Sequence, residues 1–499
     1  MRYEQIMFTK NQLDYYQLYE KISKLPKRSY SHRQLAELTG FTYAKVKYTL
    51  ERIGEIIENL DSHQATLFTQ GKQLEIQKIT ISLTAFRSQL LKKQSVPFQF
   101  LLWLLKEEKS DVEDFLAQHY ISFSTLSRNI RPLQNYLKQY DIHLNLSAGV
   151  LTASDELLLR QSLFYLFWMG TQGETAIFEP YVIEENLLPK LLAHIPDEQH
   201  YVTEKMYRLM LIIQHFRLKH GHYHQKEHRA QQLLETNPLY DFSLCQNNKL
   251  IPPEFITNES ASLLLSSLTS PLFVSGESKL PCNHHLVLAK KLPTLQALVE
   301  AFLTYFETKI FQEKIPSHLR ATLQVNMLQA AAGIWVFQGS FPNLHYFLVQ
   351  ENRQNPASVH YEEEIRSFFR SDKTPSFLTY RAYFPTLEKS FGHILQPYYV
   401  QKMSWTKLKV AIAIEPNSIL YDKLDLVLSS IYFVQIEVFM ANQAKEYDLV
   451  ITSIASFSQD FPEIPHLLWN IVTPDEELPY LFYTLRDLYH NKKNKLRFI

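Results

Sequence analysis

The sequence predicts a mainly α, multidomain protein that ends in a small α/β domain. Three observations carry this. The 499 residues are 45% hydrophobic and 13% aromatic, with only 11 glycines, a composition suited to dense helical packing. Apolar residues recur at helical spacing through most of residues 1–400, as helices with one buried face require. From Lys407 onward the texture changes: Lys407-Leu408-Lys409-Val410-Ala411-Ile412-Ala413-Ile414 reads as a buried strand, and strand-like runs then alternate with helical ones. A chain of this length is expected to hold about three or four domains. The boundaries read from texture are 1–65, 66–152, 153–284, 285–400 and 401–499.

Residues 31–57 have the layout of a helix-turn-helix. Ser31 is an N-cap candidate, Ala36 is small where two helices would cross, and Gly40 supplies a left-handed turn. Val46 and Leu50 face back into the core, which leaves Thr42, Tyr43, Lys45 and Lys47 on the outer face of the second helix. From Lys24 to Arg52 there are seven basic residues, Arg33 among them, against two acidic ones, Glu37 and Glu51. An ordinary helical hairpin with a solvated basic face would look similar. A strand-like piece over 65–81 follows.

Residues 111–140 repeat the layout. Phe115, Leu116, Leu126 and Ile130 take the apolar spacing of Leu35, Ala36, Val46 and Leu50, while Tyr120 stands in the register of the turn glycine. Ser122 is expected to cap the second helix, whose polar face would carry Ser124, Thr125, Ser127, Arg128 and Arg131. Hydroxyls and guanidiniums of this kind suit phosphate and base-edge contacts. Pro132 is expected to bend the helix or end it as a reader. Alternating apolar residues around Ser147-Ala148-Gly149 then predict a β-hairpin, which directly after a reading helix is a wing.

The rest of the chain reads more coarsely. Residues 155–275 are helical in pattern, a Pro/Ser/Asn-rich joint covers 266–285, and 291–396 are helical again. In the last region a helix is expected over 421–430, strands near 435–440, 448–454 and 468–472, and a final helix over 474–491. The two cysteines, Cys245 and Cys282, have no metal-type spacing and fit a reducing, cytoplasmic setting. The start of the chain has no apolar signal region, and no run of about 18 apolar residues predicts a membrane span. Net charge is zero, yet residues 1–150 hold 20 Lys/Arg against 15 Asp/Glu, so the front is basic and the rest acidic. That asymmetry fits a DNA-reading end joined to a protein-contacting end.

The order of these parts resembles the Mga/AtxA-type virulence regulators. The sharpest local match is Ser122-Phe123-Ser124-Thr125-Leu126-Ser127-Arg128-Asn129-Ile130-Arg131-Pro132-Leu133, which is similar to that family's Ser-x-Ser-Thr-Leu-x-Arg-x-Ile-x-x-Leu. Ser154-Asp155-Glu156 with Arg160 resembles the family's Gly-x-Glu-x-x-x-Arg after the wing, and Arg217-Leu218-Lys219-His220-Gly221-His222 resembles a segment of its first regulation domain. The resemblance implies two helix-turn-helix units, the first at 1–65 and the second, winged one at 66–152, two helical-bundle phosphotransferase-regulation domains at 153–284 and 285–400, and an enzyme IIB-like domain at 401–499. It implies a cytoplasmic regulator that binds double-stranded promoter DNA, forms a homodimer through the C-terminal domain, and meets phosphocarrier proteins of the sugar phosphotransferase system.

The departures from that family concern phosphoryl chemistry. Counting back seven residues from Arg217 reaches Met210, which cannot be phosphorylated, and Ser266 stands near where a second histidine is expected. Residues 325–333 of the second module contain no histidine. His215 and His222 are the remaining phosphate-acceptor candidates in a cluster with His220, His224 and His228, which reads more simply as a solvated, polar helix end. The loop Glu415-Pro416-Asn417-Ser418 lacks the nucleophilic cysteine of an enzyme IIB. No phosphate-cradling glycine loop, no His-Glu-x-x-His and no Gly-x-Ser-x-Gly is present, so no cofactor, metal or enzyme activity is expected. The competing reading is a phosphotransferase-linked sensor that acts by protein–protein contact rather than by binding DNA.

Overall fold

The computed structural model describes residues 2–58, 60–69, 73–107, 111–193, 200–225, 243–268, 279–344, 356–371, 375–402, 407–469 and 474–495, with single positions between them. The protein is mainly α, with small sheets and one four-stranded parallel sheet near its C-terminal end. It divides into two compact units: residues 1–10, 90–351 and 364–395 form the first, and residues 11–89, 352–363 and 396–499 the second.

In the first unit, helices Val112–His119 and Phe123–Lys138 are followed at once by the antiparallel pair β3 (Ile142–Asn145) and β4 (Val150–Ala153). The hairpin expected from alternation is present. Its register places Leu144 opposite Leu151, both buried, and Asn145 opposite Val150. The chain leaves β4 directly into helix Glu156–Thr171, capped by Asp155. That helix lies close against Val96–Lys106: a Cβ on Gly170 would meet the Phe98 ring at 2.4 Å and Tyr3 Oη at 2.8 Å, so only glycine permits this approach. Helices Leu187–Leu192, His200–Lys219, Ile256–Leu268, Lys279–Lys291, Pro293–Tyr305 and Ser317–Val336 complete the helical pattern expected there. The expected joint over 266–285 is narrower than its composition suggests, because helices Ile256–Leu268 and Lys279–Lys291 enter it from both sides.

In the second unit, helices Lys10–Ile22, His32–Thr39, Tyr43–Glu58 and Ser62–Thr69 surround a buried set that includes Tyr19, Leu35, Val46, Leu50 and Phe68. The strand-like reading of 65–81 needs correction. Residues 65–69 are helical, and the strand found among the described residues of this stretch is the short β2 (Gln73–Glu75), paired antiparallel with β1 (Ser29–Ser31). Helix packing decided this: Gly54 sits so close to Ser62–Thr69 that a Cβ there would lie 2.6 Å from Thr69 Cγ2. The first helix-turn-helix therefore also carries a strand pair, and its fold draws on residues well past 65.

The α/β region follows the expected alternation. β5 (Leu408–Ala413), β6 (Val434–Val438), β7 (Leu449–Thr452) and β8 (His466–Leu468) form a parallel sheet in the order β6-β5-β7-β8, with helix Ser418–Ser429 connecting β5 to β6 and helix Pro474–Lys495 following β8. Leu408, Val410 and Ile412 enter one core and Ala411 the other, the period-two pattern of a strand covered on both faces. The expected strand over 468–472 begins at His466, and residues 470–473 lie outside those described.

Candidate nucleic-acid interface

The second helix-turn-helix is built on a tight apolar seam. The Phe115 ring meets Phe100 at 4.9 Å, and Leu116, Leu126, Ile130 and Leu133 are buried. Asp111 caps the first helix through the Glu113 N–H at 3.0 Å, and Glu113 and Asp114 sit where the helix dipole favours negative charge. The turn passes through Tyr120 in the left-handed region. Ser122 then caps the reading helix, accepting from the Thr125 N–H at 3.3 Å, and its hydroxyl also lies 2.9 Å from Ser124 Oγ and 3.0 Å from Thr125 Oγ1. Three hydroxyls are thereby gathered at an exposed helix N-terminus, which already attracts phosphate.

Further along the same helix, Arg128 and Arg131 are exposed, and neither forms an ion pair among the described residues. Ser127, just before them, is half-buried. Pro132 does not end the helix, which continues to Lys138. Leu133, Tyr136 and Leu137 are buried beyond the proline, and that burial offsets the lost N–H bond. Gln134 donates from Nε2 to Leu144 O at 3.2 Å and so ties the reading helix to the wing. At the wing tip the Asn145 side chain accepts from Ser147 Oγ and from the Ala148 N–H.

The first helix-turn-helix, in the second compact unit, shares this frame. Ser31 forms a capping box with Gln34, and Gly40 adopts φ 72°. Thr42 Oγ1 accepts from the Lys45 N–H at 3.3 Å. Its charges are arranged differently. Lys45 reaches back to Asp14 at 2.8 Å and lies 4.1 Å from the centre of the Phe41 ring. Arg33 pairs with Glu37 at 3.6 Å on an exposed face. Lys47 and Tyr43 remain outward, with Tyr43 57% exposed. Sequence reasoning missed the partner of Lys45, because Asp14 lies outside the basic window.

The motifs around Glu156, Arg160 and Arg217 come together as one buried ionic network. Arg160 grips Glu259 with both terminal nitrogens, at 2.6 and 3.0 Å, while its Nε donates to Glu156 at 3.0 Å and Nη2 to the His222 carbonyl at 2.9 Å. Arg217 holds Glu156 at 2.8 and 2.9 Å, and Gln214 and the His224 N–H complete Glu259, each at 2.8 Å. Burial alone would raise the Glu156 carboxyl, but the Arg217 hydrogen bond and the charges of Arg160 and Arg217 outweigh it and hold it at about 2. Glu259 is likewise held low against its burial, chiefly by Arg160.

The solvated reading of the histidine cluster needs correction at His224, which is buried against this network and pushed below its ordinary pKa, first by burial and then by Arg160. His215 and His222 are half-buried. Burial lowers the His215 imidazole too. His228 and the Ser266 side chain lie outside the described residues. Glu259 could not be found by spacing, since it stands 99 positions from Arg160.

Among the described residues, no group of three or more His, Cys, Asp or Glu is placed to hold a metal ion, and no helix is long and apolar enough to cross a membrane. In the C-terminal region Asn417 caps helix Ser418–Ser429, so the loop after β5 serves as a helix start.

Residues 80–167 match the family model of the Mga helix-turn-helix domain. The match contains the second reading helix, the wing and the first residues of the buried network. No curated protein matches the chain.

Proposed function

We propose that this chain is a promoter-binding transcriptional regulator that holds double-stranded DNA through both helix-turn-helix units, with the second as the principal reader. The observation that carries the reading is the pair of exposed, unpaired guanidiniums, Arg128 and Arg131, on a reading helix inside the matched domain. Such groups meet phosphates and guanine edges, with Ser122, Ser124, Thr125 and Ser127 placed for backbone or base contacts. Lys47, Thr42, Tyr43, Lys45 and Arg33 of the first unit assist. A gel-shift with DNA from immediately upstream of the chain's own coding sequence tests this. Retarded DNA whose affinity falls steeply with salt is expected; no shift at physiological salt overturns it.

The remaining parts take regulatory roles in this reading. The α/β region brings two chains together: Leu426, Tyr432 and Phe482 are exposed on it, and a cavity of about 410 Å³ lies beside Ile431, Phe433 and Tyr489. Light scattering on the chain with and without residues 405–499 should give a dimer and a monomer, respectively. The helical modules lie between reader and sheet in the chain and carry the signal in a cytoplasmic protein without enzymatic activity. Phosphocarrier proteins are their candidate partners. His222 is the better-placed acceptor, because Arg160 fixes its backbone. Incubation with phosphotransferase enzymes and phosphoenolpyruvate should label it if that partnership operates.

A further inference from the structure

We infer that Tyr120 is a DNA-contacting residue of the second reader, its phenol donating to a backbone phosphate and its ring lying on the adjoining sugar. The inference rests on the DNA-binding reading above and adds a residue to it.

The backbone of Tyr120 adopts φ 51°, ψ 41°, the left-handed conformation. Glycine takes it without penalty, and asparagine or aspartate tolerates it. A bulky side chain there is an outlier that must be held by its surroundings. The first reader shows the ordinary solution, with Gly40 in the same turn register at φ 72°, ψ 13°. Elsewhere among the described residues, left-handed non-glycine positions are occupied by Asp141, Gln172, Gln312 and Gln338, and none is aromatic.

Tyr120 gains nothing from packing in return. It is 96% exposed, and its ring makes no aromatic contact among the described residues. Its backbone closes the turn through its own N–H to Ala117 O at 3.3 Å, followed by the Ile121 N–H to Leu116 O at 3.1 Å. Glycine would form both bonds equally well. The fold thus places a strained residue and leaves its large side chain in solvent. A strained, unpacked residue of this kind points to function rather than to stability.

The location says which function. Tyr120 lies two residues before the Ser122 cap, at the end of the reading helix that enters a major groove first. Beyond it stand the hydroxyls of Ser122, Ser124 and Thr125 and the ring of Phe123, itself 43% exposed. The turn beside a reading helix passes the rim of the groove, where phosphates and sugars line the surface. A phenol offers one donor for a phosphate oxygen and a flat apolar face for a sugar. Such a contact adds affinity without reading sequence.

The test uses the full chain and two fluorescent duplexes, one from the upstream region and one of scrambled sequence, followed by anisotropy. Tyr120→Gly should melt about one to two degrees higher than the parent, because the turn is relieved, yet bind both duplexes about five- to ten-fold more weakly. Tyr120→Phe should fall between the two. Affinity unchanged in Y120G while Arg128→Ala loses binding would overturn the proposal and leave the DNA-binding reading standing. Affinity unchanged in both variants would remove the second unit as the principal reader, whereas no binding by the parent chain would remove the DNA-binding reading itself. A lower melting temperature for Y120G, or a loss confined to the upstream duplex, would also overturn the assignment.

Discussion

The two helix-turn-helix units share a frame and differ in the state of their charges. Gly40 and Tyr120 make the turn, Thr42 and Ser122 cap the reading helix, and Val46–Leu50 and Leu126–Ile130 are the paired core positions. On the outer face, Tyr48 and Glu51 of the first unit stand in the register where the second has Arg128 and Arg131. By sequence the first unit looks the more basic. In the structure Lys24, Arg33, Lys45 and Arg52 of its basic set each meet a carboxylate, from Glu20, Glu37, Asp14 and Glu55. The second unit has fewer cations, but Arg128 and Arg131 have no acidic partner among the described residues. Lys27, Arg28 and Lys47 of the first unit also lack a carboxylate among the described residues, so the contrast lies on the outer face of the second helix, where the first unit keeps Lys47 and the second a pair of guanidiniums. What counts is charge left unpaired after folding.

The units also differ in what stands behind them. The second reader leads through its wing into Asp155 and Glu156, and so into the network of Arg160, Arg217 and Glu259. The largest expected effect tests that connection. Glu259→Ala leaves Arg160 buried beside an empty site and should cost about 3–5 kcal/mol. By hydrogen exchange, residues 112–153 should lose protection while residues 32–58 keep theirs; equal loss in both would break the comparison.

Acid should separate the units next. A carboxyl held at about 2 in the folded chain, against an ordinary value near 4.5, contributes stability above pH 4.5 that is lost as pH falls toward 2. The amount is on the order of 3 kcal/mol. His224 acts in the same direction: its folded pKa is depressed, so the unfolded chain takes up the proton first, and stability falls as pH drops below its ordinary 6.5. In Glu156→Gln the acid limb of a denaturation-versus-pH curve should flatten; an unchanged slope would show that this network does not set it.

A smaller effect probes the turns. Gly40→Ala places a Cβ in open space, so its cost of about 1 kcal/mol is conformational only. A neutral result in urea melts would mean that the first turn can relax out of its left-handed geometry. The smallest effect is a slope. Arg128→Ala should lower the salt dependence of DNA binding by about one counterion, and Lys45→Ala by less, because Asp14 already holds Lys45.

Much of the fold was legible because it rests on local patterns. Alternation around Ser147 gave the wing, and the strand-helix alternation after Lys407 gave the parallel sheet. Gly40 gave a turn whose chemistry has few alternatives. What was hidden depends on distant partners or very short elements. β1 and β2 are three residues each, too short to show a period, and packing of Ser62–Thr69 on Gly54 overrode the strand-like texture. Pro132 left the length of the helix open in the sequence, and burial beyond it keeps the helix going to Lys138. In the candidate site the sequence set Arg128, Arg131, Tyr43 and Lys47 on outward helix faces, and they are exposed there. It could not show that Asp14 would engage Lys45, that Glu259 would close on Arg160, or that Tyr120 would be left bare in a strained turn.

The central claim is that the second unit carries most of the DNA affinity through unpaired charge. The direct measurement is anisotropy on the upstream duplex near physiological salt, comparing Arg128→Ala/Arg131→Ala with Lys45→Ala/Lys47→Ala in the full chain. The account predicts about 100-fold weaker binding for the first pair and less than about 10-fold for the second. The reverse order, or parental affinity in the Arg128/Arg131 variant, would contradict it.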